Sequence, residues 1–156
     1  MKIEFEISDA EIIRSNKIGK EYLAEDNIFP PDIYYEGTVT LTDDANKTIN
    51  QQYSLFDFTY RVFNALEDLE SGKCSFLEIE FTEDYMSIRL LKQSDELFLK
   101  PEYENKELNF KFDEFKNSFT YATKDLYARL FSVQGSNILK KTENPDFNIF
   151  LSKLGM

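Results

Sequence analysis

A chain of 156 residues fits one domain and is long enough to bury a sizeable core. Apolar residues make up 42% and charged residues 30%, too apolar for intrinsic disorder, and 15 Phe with 9 Tyr require an aromatic interior. The net charge is −11 with no histidine and a single cysteine, Cys74, which excludes Ser-His-Asp and Cys-His catalysis, intrachain disulfides and the usual zinc sites.

Residues 2–7 alternate, with Ile3, Phe5 and Ile7 on one face and Lys2, Glu4 and Glu6 on the other. That is the pattern of a half-buried strand, with Glu11-Ile12-Ile13 as a candidate continuation. Residues 16–32 are the least regular part of the chain. They hold Gly19, the acidic pair Glu25-Asp26 and the breaker Pro30-Pro31, which together predict a long loop. Residues 33–42, rich in β-branched and aromatic side chains, read as a strand. Asp43-Asp44-Ala45-Asn46 supplies a turn, and residues 48–53 the return strand of a hairpin.

Ser54 opens the clearest helix, a capping-box form with Asp57 three residues on. Leu55, Phe58, Val62, Phe63, Leu66 and Leu69 recur at helical spacing, and Gly72 stands where a helix-ending glycine belongs. Residues 76–81 and 86–91 then flank the loop Thr82-Glu83-Asp84-Tyr85. Setting Phe81 against Met86 places Ile79 opposite Ile88 and Leu77 opposite Leu90 on the buried side. The same register places Glu78 opposite Arg89 and Glu80 opposite Ser87 on the other. Further strands are predicted at residues 97–100 and 107–112.

Asp113 is the predicted cap of a second long helix with Phe115, Phe119, Ala122, Leu126, Leu130 and Val133 as its stripe, ended by Gly135-Ser136. Asn144-Pro145 predicts the start of a short amphipathic helix carrying Phe147, Phe150, Leu151 and Leu154. The expected architecture is a single α+β domain over residues 1–156. A mostly antiparallel sheet of about six strands would carry two long helices and a short C-terminal helix on one face.

The acids concentrate toward the N-terminal half. Residues 1–72 hold 6 Lys and Arg against 15 Asp and Glu, a net of −9, while residues 73–156 hold 12 against 14, a net of −2. Such a surface repels nucleic acid and anionic lipid and steers basic proteins toward it. Glu78 and Glu80, two apart on one strand face, would suit paired acid–base chemistry if burial split their pKa values. Pairing with Arg89 instead keeps Glu78 ionised and solvated, and a glycosidase would need a deep cleft with aromatic platforms.

Glu83-Asp84 and Asp43-Asp44 lack the spacing of a calcium loop, so no metal or other cofactor is expected. Glu67, Asp68 and Glu70 crowd the end of the first long helix, where the helix dipole disfavours acids. The residues that emerge as a docking surface are therefore Glu4, Glu6, Glu78 and Glu80, expected on the open sheet face, with Glu67, Asp68 and Glu70 as a second patch. The chain start, MKIEFEISDAE, has acids inside its first apolar run, unlike a signal peptide. No stretch reaches the length of a membrane span, so a cytoplasmic protein is expected.

The strand around Gly37, the capped helix over 54–69, the hairpin over 76–91 and the helix over 113–133, taken with size and acidity, resemble small immunity proteins of bacterial polymorphic-toxin systems. Contact-dependent inhibition immunity proteins are among these. The resemblance implies a non-enzymatic protein that blocks a cognate basic toxin, often a nuclease, by covering its working surface. The alternative is an acidic interaction module, or a DNA-mimic inhibitor, within a larger bacterial assembly.

Overall fold

Alternation of apolar and polar residues builds the first sheet, strand order β1-β2-β3, from β1 (Lys2–Glu6), β2 (Glu36–Thr42) and β3 (Thr48–Ser54). The computed structural model describes residues 1–27, 29–83, 85–133 and 145–156. Both pairings are antiparallel, with Glu4 opposite Thr40 and Glu6 opposite Thr38, and then Thr40 opposite Asn50 and Thr38 opposite Gln52. Because side chains alternate, one face presents rows of Glu, Thr, Asn and Gln. The other face buries Val39, Leu41, Ile49 and Tyr53.

A second sheet, order β4-β5-β6-β7, is a meander of β4 (Phe76–Ile79), β5 (Ile88–Gln93), β6 (Glu96–Pro101) and β7 (Leu108–Lys111). Its first hairpin has the register expected from sequence: Leu77 faces Leu90, Glu78 faces Arg89 and Ile79 faces Ile88. The ladder stops there, so Glu80 and Ser87 lie beyond it.

The strands thus form two sheets of three and four, not one sheet of about six. Between β3 and the second sheet the bonds run through side chains rather than a backbone ladder. Gln51 donates to Glu104 at 2.9 Å, Lys106 reaches the Thr48 carbonyl at 3.4 Å, and the Tyr53 hydroxyl donates to the Met86 carbonyl at 2.8 Å. Nearby, the Asn109 amide donates to Asp43 at 3.2 Å.

Helix α1 (Asp9–Ala24) occupies much of the stretch read from sequence as a loop over 16–32, and it also takes up the supposed strand continuation at Glu11-Ile12-Ile13. Ser8 caps it, accepting from the Glu11 amide at 3.1 Å. Its inward positions Ile12, Ser15, Asn16 and Gly19 keep the i, i+3, i+4, i+7 spacing of a helix but are mostly polar or absent side chains. They are buried because they hold an irregular piece of backbone. The Tyr35 amide donates to Ser15 Oγ at 3.1 Å, the Tyr35 hydroxyl to Asn16 Oδ1 at 2.7 Å, and the Glu36 amide to Glu11 at 3.2 Å. Tyr35 itself has a φ of 59°, and a 3-10 turn (Pro31–Ile33) precedes it, so β2 starts at Glu36 rather than at residue 33.

Helix α2 (Leu55–Glu70) is the centre of the molecule and is buried on almost every side. Phe58, 1% exposed, meets the rings of Phe5, Tyr53, Phe81 and Phe119 at centroid distances of 4.7–6.3 Å. Burying such a ring is worth about 2–3 kcal/mol, and well-angled aromatic pairs add about 0.5–1.5 kcal/mol each. This aromatic contact set, reaching the first sheet, the segment after β4 and α3, dominates over any surface ion pair.

α3 (Phe112–Ser132) begins one residue before its expected cap, and Lys111 occupies the cap without a side-chain hydrogen bond, which leaves Asp113 in the first turn. It packs on β1, β6 and β7, and Tyr127 joins it to α2 through a 3.0 Å bond with Thr59. α4 (Pro145–Lys153) lays Phe147 and Phe150 against Phe56, Phe63 and Tyr127. The expected helix end at Gly135-Ser136, the cap Asn144 and the loop residue Asp84 lie outside the described residues.

Candidate functional site

Each sheet has one strand edge that no described strand pairs with and no loop of the other sheet bonds: β1 in the first and β4 in the second. β1 runs alongside α3, and a groove of about 310 Å³ lies between them. Four consecutive strand residues, Ile3 to Glu6, line one side. Ala122, Asp125, Leu126 and Arg129, at i, i+3, i+4 and i+7 on α3, line the other. Along β4 the arrangement recurs. Residues 77–80 border a groove of about 270 Å³ whose far wall is the Arg61–Asn64–Asp68 face of α2.

Five of the seven acids singled out in the sequence therefore stand on these two grooves, but not on one open face. Glu4 and Glu6 belong to the β1 edge. Glu78 belongs to the β4 edge and Glu80 follows just past the strand's end, where Asp68 joins them on the same groove. The separation removes the like-charge repulsion that direct pairing of the two acidic strands would have caused; β1 is instead paired to the threonines of β2.

Their neutralisation differs. Glu4 lies 3.2 Å from Lys2 and Glu78 lies 3.9 Å from Arg89, both on the surface, where such pairs are worth about 0–1 kcal/mol. Among the described residues, no ion pair engages Glu6 or Glu80. Asp68 is 3.9 Å from Lys73. Glu67 and Glu70 are brought elsewhere: Lys116 of α3 reaches over to them at 3.6 and 2.8 Å. That lysine offsets the dipole penalty at the end of α2, so these two acids fasten α2 to α3.

Sequence reading missed Asp125 and Arg129 on the β1 groove and Arg61 on the β4 groove. Arg129 is held by Asp9 of α1 at 2.9 Å, and Arg61 by Asp57 at 2.6 Å. The helical phase of Ala122 and Leu126 carries Asp125 and Arg129 with it, but only knowledge of which strand meets α3 makes them wall residues.

Another acidic focus sits where β2 begins. Glu36 accepts from the Tyr85 hydroxyl at 2.5 Å, and burial first, then this bond and the charge of Glu36, push the Tyr85 hydroxyl well above its ordinary pKa. Glu11 lies close by. Its hydrogen bond from Arg14, at 2.7 Å, together with the Glu36 amide, holds it below the ordinary glutamate value of 4.5 against the opposing effect of burial.

Among the described residues no cluster of three His, Cys, Asp or Glu side chains has the geometry to hold a metal ion, and no helix is long and apolar enough to cross a membrane. Cys74 is a free thiol, partly buried. No family model, curated protein or solved structure matches the chain.

Proposed function

We propose that this is a non-enzymatic binding protein that neutralises a basic protein partner, most specifically an immunity protein covering a cognate toxin domain such as a nuclease. The observation that carries the reading is the placement of acids along the two unpaired strand edges, with Glu6 and Glu80 outside any ion pair among the described residues. A basic partner supplies the counter-charges that the chain itself does not. With a net charge of −11, long-range attraction raises the association rate and rejects acidic competitors more than it adds final affinity.

A catalytic role for Glu78 and Glu80 draws little support from their setting, since both are exposed and Glu78 faces Arg89 across the hairpin. A phosphate-mimicking row draws little support either, because Lys116 sits between Glu67 and Glu70.

The test is genetic and biochemical. If the reading frame upstream of this gene encodes a basic toxin domain, expressing that domain alone should stop growth, and co-expressing this chain should restore it. An upstream frame without a toxic domain, or toxicity that this chain fails to relieve, contradicts the immunity role.

A further inference from the structure

Resting on that binding role, we infer that β1 accepts an extended basic segment of the partner as a fourth strand of the first sheet. A strand edge presents a row of backbone donors and acceptors that a second chain can complete. Of the four sheet edges among the described residues, β3's lies against the second sheet's loops, with the Lys106 ammonium on the Thr48 carbonyl and the Gln51 and Tyr53 side chains bonded to Glu104 and Met86, and the β7 edge meets Asp43 through the Asn109 amide. β4 is only four residues long and its Glu78 already faces Arg89. β1, with five residues and an adjoining groove of about 310 Å³, remains.

The groove also dictates what fits. A strand added beside β1 sits about 4.8 Å away and alternates its side chains between the two faces of the sheet. On the outer face its neighbours are Glu4 and Glu6, and Asp125 lies exposed on the α3 wall, so lysine or arginine belongs there. On the inner face its neighbours are Ile3, Phe5, Ala122 and Leu126, which call for small apolar side chains. Arg129, the cation of the groove, is occupied by Asp9 at 2.9 Å. The recognised segment is thus an extended run alternating basic and apolar residues. A second copy of this chain fits less well: although Lys2 could oppose Glu6 in a two-fold pairing, Glu4 would face Glu4 between two bodies each carrying −11.

The probe is a synthetic heptapeptide alternating lysine and valine, titrated at low salt against the full chain while backbone amides are followed by NMR. Two further versions carry N-methyl groups on alternate residues, one version in each phase, so that each blocks one edge of the peptide and the protein is left unaltered. Strand addition predicts that one N-methylated version binds like the parent and the other loses binding. It also predicts that exchange protection appears in those amides of residues 3–6 that point away from β2, and that E4K/E6K weakens the parent peptide about tenfold. Equal binding of both N-methylated versions, or no binding of the parent, overturns strand addition while leaving the growth-rescue test of the binding role untouched. Protection of residues 3–6 without peptide, rising with protein concentration, would assign the edge to a second copy and overturn it as well.

Discussion

Asp57 shows how a single side chain can serve a purpose its sequence position disguises. It stands where a capping-box acid would reach back to the helix start, and Ser54 does accept from the Asp57 amide at 3.5 Å. Its carboxylate, 2% exposed, turns outward along the helix: one oxygen takes Arg61 at 2.6 Å, the other the Thr82 amide at 2.8 Å. It therefore pins the segment after β4 to α2. Replacing Asp57 with Asn keeps the shape and removes the charge, and should cost about 2 kcal/mol in urea unfolding; an unchanged midpoint would deny the clamp. Glu11 acts through charge in a different way. Its folded pKa is lowered, so its stabilisation is present above the unfolded value near 4.5 and is lost as pH falls through the lower folded value. The stability gap between the wild type and Glu11→Gln should accordingly be widest near neutrality and close on acidification below about pH 4.5, as read by denaturant titration at several pH values.

Among the elements, those with long apolar repeats were legible in the sequence and those held by polar side chains were not. α2 and α3 announce themselves through Phe, Leu and Val at helical spacing, and the β4–β5 register follows from matching Leu77 and Ile79 to Leu90 and Ile88. α1 escaped notice because its buried stripe of Ile12, Ser15, Asn16 and Gly19 does not look apolar, and its polar members serve the backbone at Tyr35 and Glu36. The division into two sheets was hidden for a similar reason, since it depends on side-chain bonds to β3 that connect residues more than thirty positions apart. Strand meets helix closely at Gly37. A methyl group there would stand 2.3 Å from the Glu6 carbonyl oxygen and 2.7 Å from Leu55. Because one obstacle is backbone, Gly37→Ala should destabilise by about 2–3 kcal/mol and loosen β1 against β2. Hydrogen exchange of the β1 amides, faster in the variant than in wild type, is the readout; a fully tolerated alanine would show that the strands can part without penalty.

At the scale of the whole molecule, an aromatic interior supplies the stability and leaves the charge free to be used outside. Of the acids chosen from alternation alone, Glu6, Glu78 and Glu80 are exposed and Glu4 is half-buried, and their distribution over two separate edges required the fold. The acids at the end of α2 illustrate the opposite outcome, because Lys116 lies 46 residues beyond Glu70 in sequence and only 2.8 Å away in space. On the two unpaired edges, Glu4 and Glu78 have cations beside them while Glu6 and Glu80 have none among the described residues. The proposed docking there is tested most directly by stopped-flow association of this chain with the upstream-encoded domain, if that frame proves to encode a basic toxin, measured across a range of salt. Wild type should associate rapidly at low salt and slow steeply as salt rises. E4K/E6K and E78K/E80K should each slow the low-salt rate and flatten that dependence. Rates that ignore salt, or that both double variants leave unchanged, would contradict an acidic docking surface on these edges.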